Sequence, residues 1–141
     1  MANSPNPTTV KATAALAGVI SLLVLIQAVT GGLVARESNR KGVVNGHSGI
    51  AYLVAVLAVG LVVVAVAMWR DRAGYQVVIG ESVALLVCVI IQIGIGMKIG
   101  NLPVKGGDHP GLLAIHIPLA LIIFGLTLHL QTYVTNLRRQ A

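Results

Sequence analysis

Two histidines carry the chemistry that this sequence offers. His116 stands near the start of the apolar run DHPGLLAIHIPLALIIFGLTLHL (residues 108–130), and His47 opens a second run, HSGIAYLVAVL. An imidazole placed in hydrocarbon is costly, and an ionisable side chain there is read first as a functional site with a partner. The two runs match in pattern. Each histidine is followed by an aliphatic residue at +3 (Ile50, Leu119), alanine at +4 (Ala51, Ala120) and aliphatics at +6 and +10. On a helix, positions +3 and +4 share the histidine's own face, so each imidazole has a small, dry surface beside it. The chemistry on offer is metal ligation by a pair of imidazoles.

The elements that must position this pair are membrane helices. The chain has 141 residues, 56% of them hydrophobic and 10% charged, with a mean hydropathy of +0.88. That balance is not that of a soluble domain. Four apolar segments lie at about 12–34, 47–69, 76–98 and 111–134, each long enough to span a hydrocarbon core of about 30 Å with some tilt. The connections between them leave no room for a soluble domain, so residues 1–141 read as one all-α, polytopic membrane four-helix bundle. The first segment is too long for a signal peptide and lacks a clean cleavage site. The net charge of +6 describes membrane edges in contact with lipid. It does not describe a nucleic-acid face, which needs a basic stripe with readout residues. The single cysteine, Cys88, excludes an intrachain disulfide.

The segments are organised as two tandem two-helix repeats. IQAVTGGL from Ile26 aligns with IQIGIGMK from Ile91, so that Gln27 matches Gln92 and Gly31 matches Gly96. The second and fourth segments align on His47 and His116. Repeats of two crossings each point the same way across the bilayer. Both histidines are therefore expected on one side of the membrane, at similar depth, on diagonally related helices. Residues 1–9 read as a mobile tail. The first helix is expected to end at Gly31-Gly32, Asn45 to cap the second and Asp108 the fourth. Pro110 suits the fourth helix's first turn, and Pro118 is expected to kink it. Lys11, Arg70, Arg72, Arg138 and Arg139 fall on one side of the membrane, and Arg36, Arg40, Lys41, Lys98 and Lys105 on the other. This even division gives no positive-inside vote. The first group hugs the helix ends, which favours cytoplasmic termini. The second group, beside the histidines, is suited to a buried anionic ligand.

Two histidines facing each other across a bundle suit haem, whose iron takes one axial imidazole on each face of the porphyrin. One haem b per chain is expected. The alanines and glycines leave space for a flat macrocycle, and Arg36, Arg40, Lys41, Lys98 or Lys105 would neutralise its propionates. The bland reading of each histidine is a polar residue bonded across helices. Gln27 and Gln92 read as interhelical hydrogen bonds ahead of cofactor contacts. Gly31, Gly32, Gly94 and Gly96 read as close-packing positions. Two histidines without a nearby carboxylate or cysteine make a poor zinc site. His109 reads as a loop residue and His129 as interfacial, Glu81 as paired with Arg70 or Arg72, and Met97 as packing.

LIQAVTGGLVAR, GHSGIAYLVAVLAV, VIIQIGIGM and HIPLALIIF together resemble one four-helix half of haem A synthase, over about residues 15–130. Members of that family have eight crossings in two pseudo-symmetric halves, each with a histidine pair on its second and fourth helices. The resemblance implies haem ligation by His47 and His116. It departs from the family where Val44 and Ser48 stand in place of a glutamate and an arginine that flank the first histidine. The cysteine pair found in many members' first outer loop is also missing. Three functions are therefore expected as rivals. They are an electron-transfer module, as a subunit or assembly factor of a respiratory complex; a half-size haem-modifying oxidase; and a haem-free structural subunit. A multidrug-transporter reading is weaker, since the first segment has no membrane carboxylate. The expected setting is a bacterial-type cytoplasmic membrane, with a homodimer or a larger respiratory complex as the assembly.

Overall fold

The computed structural model describes residues 6–36, 41–71, 76–101 and 110–139. They form four α-helices: α1 (Pro7–Arg36), α2 (Lys41–Asp71), α3 (Gln76–Asn101) and α4 (Pro110–Arg139). No strand occurs among the described residues. Each helix is long and apolar enough to cross a membrane, and the chain is a multi-pass membrane bundle. The helices close a ring in which α1 and α3 each pack against both α2 and α4. The diagonal pairs, α1 with α3 and α2 with α4, make no close backbone approach.

Several helix ends lie beyond the expected ones. α1 starts at Pro7 rather than within the apolar run, so residues 7–9 are helical and not tail. Asn6 caps it, accepting from the Thr8 amide on Oδ1 at 3.0 Å, and Pro7 fills the first turn, where its missing N–H costs nothing. α1 also runs on through Gly31 and Gly32 to Arg36. α2 begins at Lys41, which puts Asn45 inside the helix and removes it as a cap. α4 opens on Pro110 as expected, and Asp108 lies outside the described residues. Pro118 stands inside a continuous α4, where its ring nitrogen leaves the Ala114 carbonyl without the usual amide donor.

The core follows the alternating three- and four-residue spacing of close helix packing. α1 buries Val10, Thr13, Ala17, Ile20 and Val24, and α2 buries Val54, Ala58, Leu61, Ala65 and Met68. α3 buries Val78, Ser82, Leu85 and Val89, and α4 buries Ile123, Thr127, Leu130 and Val134. Small residues at Ala17, Ala58 and Ala65 let the backbones approach, as membrane helices require when lipid is as apolar as their own side chains. Buried hydroxyls are satisfied locally or across helices. Ser21 Oγ donates to Thr127 Oγ1 at 2.8 Å, joining α1 to α4, and Thr127 donates onward to the Phe124 carbonyl. The outer surface is as apolar as the core, with Leu22, Val29, Val56, Val63, Val87, Ile90 and Leu121 exposed. Water would penalise that surface, whereas hydrocarbon does not.

The burial is confined to one half of the bundle. Val24, Val54, Val89 and Ile123 form its last buried layer. Beyond them, at residues 25–34, 41–53, 90–99 and 111–122, no side chain is fully buried.

Candidate functional site

The heptad stripes that build the core run on into the loosely packed half, and there their residue types change. On α2, Met68, Leu61 and Val54 lead to His47 at the next heptad position, while Ala65 and Ala58 lead to Ala51. On α4, Leu130 and Ile123 lead to His116, and Val134 and Thr127 lead to Ala120. On α1 and α3 the same continuation reaches Gln27, Gly31, Gln92 and Gly96. Histidine, glutamine, glycine and alanine thus stand where the other half of the bundle has packed side chains. Each histidine is the seventh residue of its helix, so both lie at one end of the bundle on diagonally placed helices. Both are half-buried.

Each histidine is held by the same two contacts. Gln27 Nε2 donates to the His47 backbone carbonyl at 2.8 Å, and Gln92 Nε2 donates to the His116 carbonyl at 2.9 Å. These are the interhelical hydrogen bonds expected of the glutamines, tying α1 to α2 and α3 to α4 at the histidines. A Cβ added at Gly31 would lie 3.2 Å from His47 Cε1, and one added at Gly96 would lie 3.3 Å from His116 Cε1. At both places the ring edge rests on the neighbouring helix, and a side chain in place of the glycine would require the ring to shift by a few tenths of an ångström. Gly32 and Gly94 differ from expectation. A Cβ at either would meet nothing within 4 Å, so they are not close-packing positions.

One partner was missing from the sequence reading. Thr30 Oγ1 lies 3.1 Å from His47 Nδ1. The corresponding residue of the second pair is Ile95, and His116 Nδ1 is buried without a hydrogen-bond partner, as is Gln92 Oε1. The signal was present as a difference between two otherwise matching segments, Gln-Ala-Val-Thr-Gly and Gln-Ile-Gly-Ile-Gly.

The cations are placed more loosely. Lys41 opens α2 and Lys98 lies in the last turn of α3. Both are exposed at the histidine end. Arg36 ends α1 at the same end of the bundle, while Arg40, Lys105 and His109 lie outside the described residues. Met97 is exposed, and its sulfur accepts from Tyr52 Oη at 3.8 Å. At the opposite end, Glu81 Oε1 lies 2.8 Å from His129 Nδ1, and the His129 ring stacks on Tyr133. Glu81 therefore pairs with a histidine of α4; the Arg70 side chain and Arg72, the partners expected from the sequence, lie outside the described residues. Glu81 Oε2 is buried and has no partner.

Among the described residues no three of His, Cys, Asp and Glu gather closely enough to hold a metal ion. No protein-family model, curated protein or solved structure matches the chain.

Proposed function

We propose that this chain is a membrane b-type haem-binding protein in which His47 and His116 are the axial ligands of one haem b. The observation that carries the proposal is the duplicated setting of the two imidazoles. Each is the continuation of a core stripe, each rests against a glycine, and each is anchored by a glutamine on its backbone carbonyl. In the surrounding half of the bundle no described side chain is fully buried. A flat macrocycle with two free axial positions is the ligand that such a donor set fits, and orphaned polar atoms at Gln92 and His116 mark the site as incomplete in polar partners.

Bound there, haem b would supply a one-electron redox couple. The protein's own part is to fix two imidazoles on separate helices, so that ligand geometry depends on the packing of the whole ring. Gln27 and Gln92 hold the backbones, and Gly31 and Gly96 admit the rings. Lys41 and Lys98, with Arg36, Arg40 and Lys105 from the same end of the chain's topology, would neutralise the propionates. Electron transfer, as a subunit or assembly factor of a respiratory complex in a bacterial-type cytoplasmic membrane, is the reading preferred over haem modification. Val44 and Ser48 occupy the turn around His47 without a carboxylate or a guanidinium. Both carboxylates among the described residues, Asp71 and Glu81, stand at the opposite end. The termini are assigned to the cytoplasm.

The test is optical. Purified protein should give a low-spin haem spectrum in both oxidised and dithionite-reduced states. His47→Ala and His116→Ala should each abolish it, while His109→Ala and His129→Ala should preserve it. An unchanged low-spin spectrum in either of the first two variants removes the assignment. Extracted haem should have the mass of unmodified haem b; hydroxylated or formylated haem would favour the oxidase reading.

A further inference from the structure

The two imidazoles share a glutamine and a glycine but not a partner for Nδ1. Thr30 Oγ1 meets His47 Nδ1 at 3.1 Å. The hydroxyl has one hydrogen, and it has three oxygens to donate to: the Ile26 carbonyl at 3.0 Å, the Gln27 carbonyl at 3.3 Å and Gln27 Oε1 at 3.5 Å. Back-donation to the carbonyl four residues earlier is the habit of a threonine in a helix. With the hydrogen directed there, an oxygen lone pair faces the ring, and Nδ1 must be the donor. A neutral imidazole that donates from Nδ1 has its free lone pair on Nε2. At the second histidine the hydroxyl is replaced by Ile95, and His116 Nδ1 is buried with nothing to donate to or accept from.

We infer that Thr30 is a positioning residue that locks His47 in the Nδ1–H tautomer and makes the two histidines chemically unequal. The inference rests on the haem-ligation reading for its redox consequence but not for the tautomer itself. An imidazole that donates to an oxygen acceptor is a more basic ligand than one that does not. His47 would accordingly be the stronger donor to a bound haem and His116 the weaker one. The acceptor at Thr30 would favour the oxidised form of that group, and its absence at Ile95 would do the opposite.

Two arms test this. In the first, the full chain is labelled with ¹⁵N-histidine, purified without haem in detergent and examined by long-range ¹H–¹⁵N correlation. His47 should show a protonated Nδ1 and a bare Nε2. Thr30→Ser should keep that pattern, and Thr30→Val, nearly the same in shape, should shift His47 toward the Nε2–H form that an unconstrained neutral imidazole prefers. A bare Nδ1 on His47 in the unmodified chain, or a pattern indifferent to Thr30→Val, overturns the inference. In the second arm the midpoint potential of the haem-loaded protein is measured. Thr30→Val should raise it, Thr30→Ser should leave it in place, and Ile95→Thr should lower it. Loss of packing alone would not move two threonine-swapping variants in opposite directions. Haem-loaded Thr30→Val with an unshifted potential overturns the inequality of the ligands. Failure of the unmodified chain to take up low-spin haem would overturn the haem reading instead, and the first arm would still decide the tautomer.

Discussion

At the scale of single residues, the site depends on what is absent from Gly31 and Gly96. A methyl group at Gly31 would sit 3.2 Å from His47 Cε1, tighter than carbon atoms normally approach, and the ring must yield. Overpacking of this kind costs about 1–3 kcal/mol, and about 1.4 kcal/mol is a tenfold change in an equilibrium. Gly31→Ala is therefore expected to weaken haem retention by roughly five- to a hundredfold. Gly32→Ala, with open space around it, should retain haem normally. Haem titration into protein purified without it, followed by absorbance, checks both, and equal affinities would reject the argument. The histidines, Gln27, Gln92, Gly31 and Gly96 were legible in the sequence because each has a counterpart in the other pair of helices. Thr30 was not, because a lone threonine in an apolar helix reads as a hydroxyl bonded to its own backbone, which it also is. The contact between Glu81 and His129 was hidden for a different reason. It joins α3 to α4 with no matching pair in α1 and α2 to announce it, and both residues lie near charged helix ends that offered simpler partners.

At the scale of helices, apolar run length identified the four elements, and the matching of the second and fourth segments put the histidine helices on a diagonal, but the ends came out too short. Hydropathy marks where a helix meets hydrocarbon. It does not mark where the hydrogen-bond ladder stops, and polar turns such as Lys41–Gly46 continue the helix past the hydrocarbon edge. The buried face was recoverable only as heptad spacing, since the lipid-facing side is equally apolar and polarity cannot tell inside from outside. Neighbouring residues on α2 should separate the two faces. Leu61 is fully buried and Val63 is exposed to lipid. Leu61→Ala removes packing that lipid does not replace, at a cost of about 2–5 kcal/mol, whereas Val63→Ala exchanges one lipid contact for another. Reversible unfolding in mixed micelles, monitored by helical circular dichroism, is expected to show a large destabilisation for the first and almost none for the second. Comparable losses at both positions would mean that α2 is rotated from the orientation described here.

At the scale of the molecule, one half of the bundle carries all the fully buried side chains and the other has His, Gln, Gly and Ala at the continuing core positions with none fully buried. On the proposed haem reading, the two histidines need support from outside to stay in register, because α2 and α4 make no close backbone approach to each other. The apolar surface offers a place for such support. Gly60, Gly80 and Gly125 have open space around them within the chain, and small residues of this kind allow close approach of a second set of helices. On the proposed haem reading, a homodimer would bring together eight helices with one haem in each chain. A different subunit of a respiratory complex could take the second half's place. Mass measured in detergent, corrected for bound detergent and followed over a range of protein concentrations, decides between them. The homodimer predicts a haem-loaded particle of twice the 14.6 kDa chain mass that persists on dilution. A haem-loaded particle of the single-chain mass at every concentration rejects it. Recovery of the chain from native membranes together with respiratory subunits, in a fixed ratio and only when His47 and His116 are intact, would assign the sheltering surface to a partner of another kind.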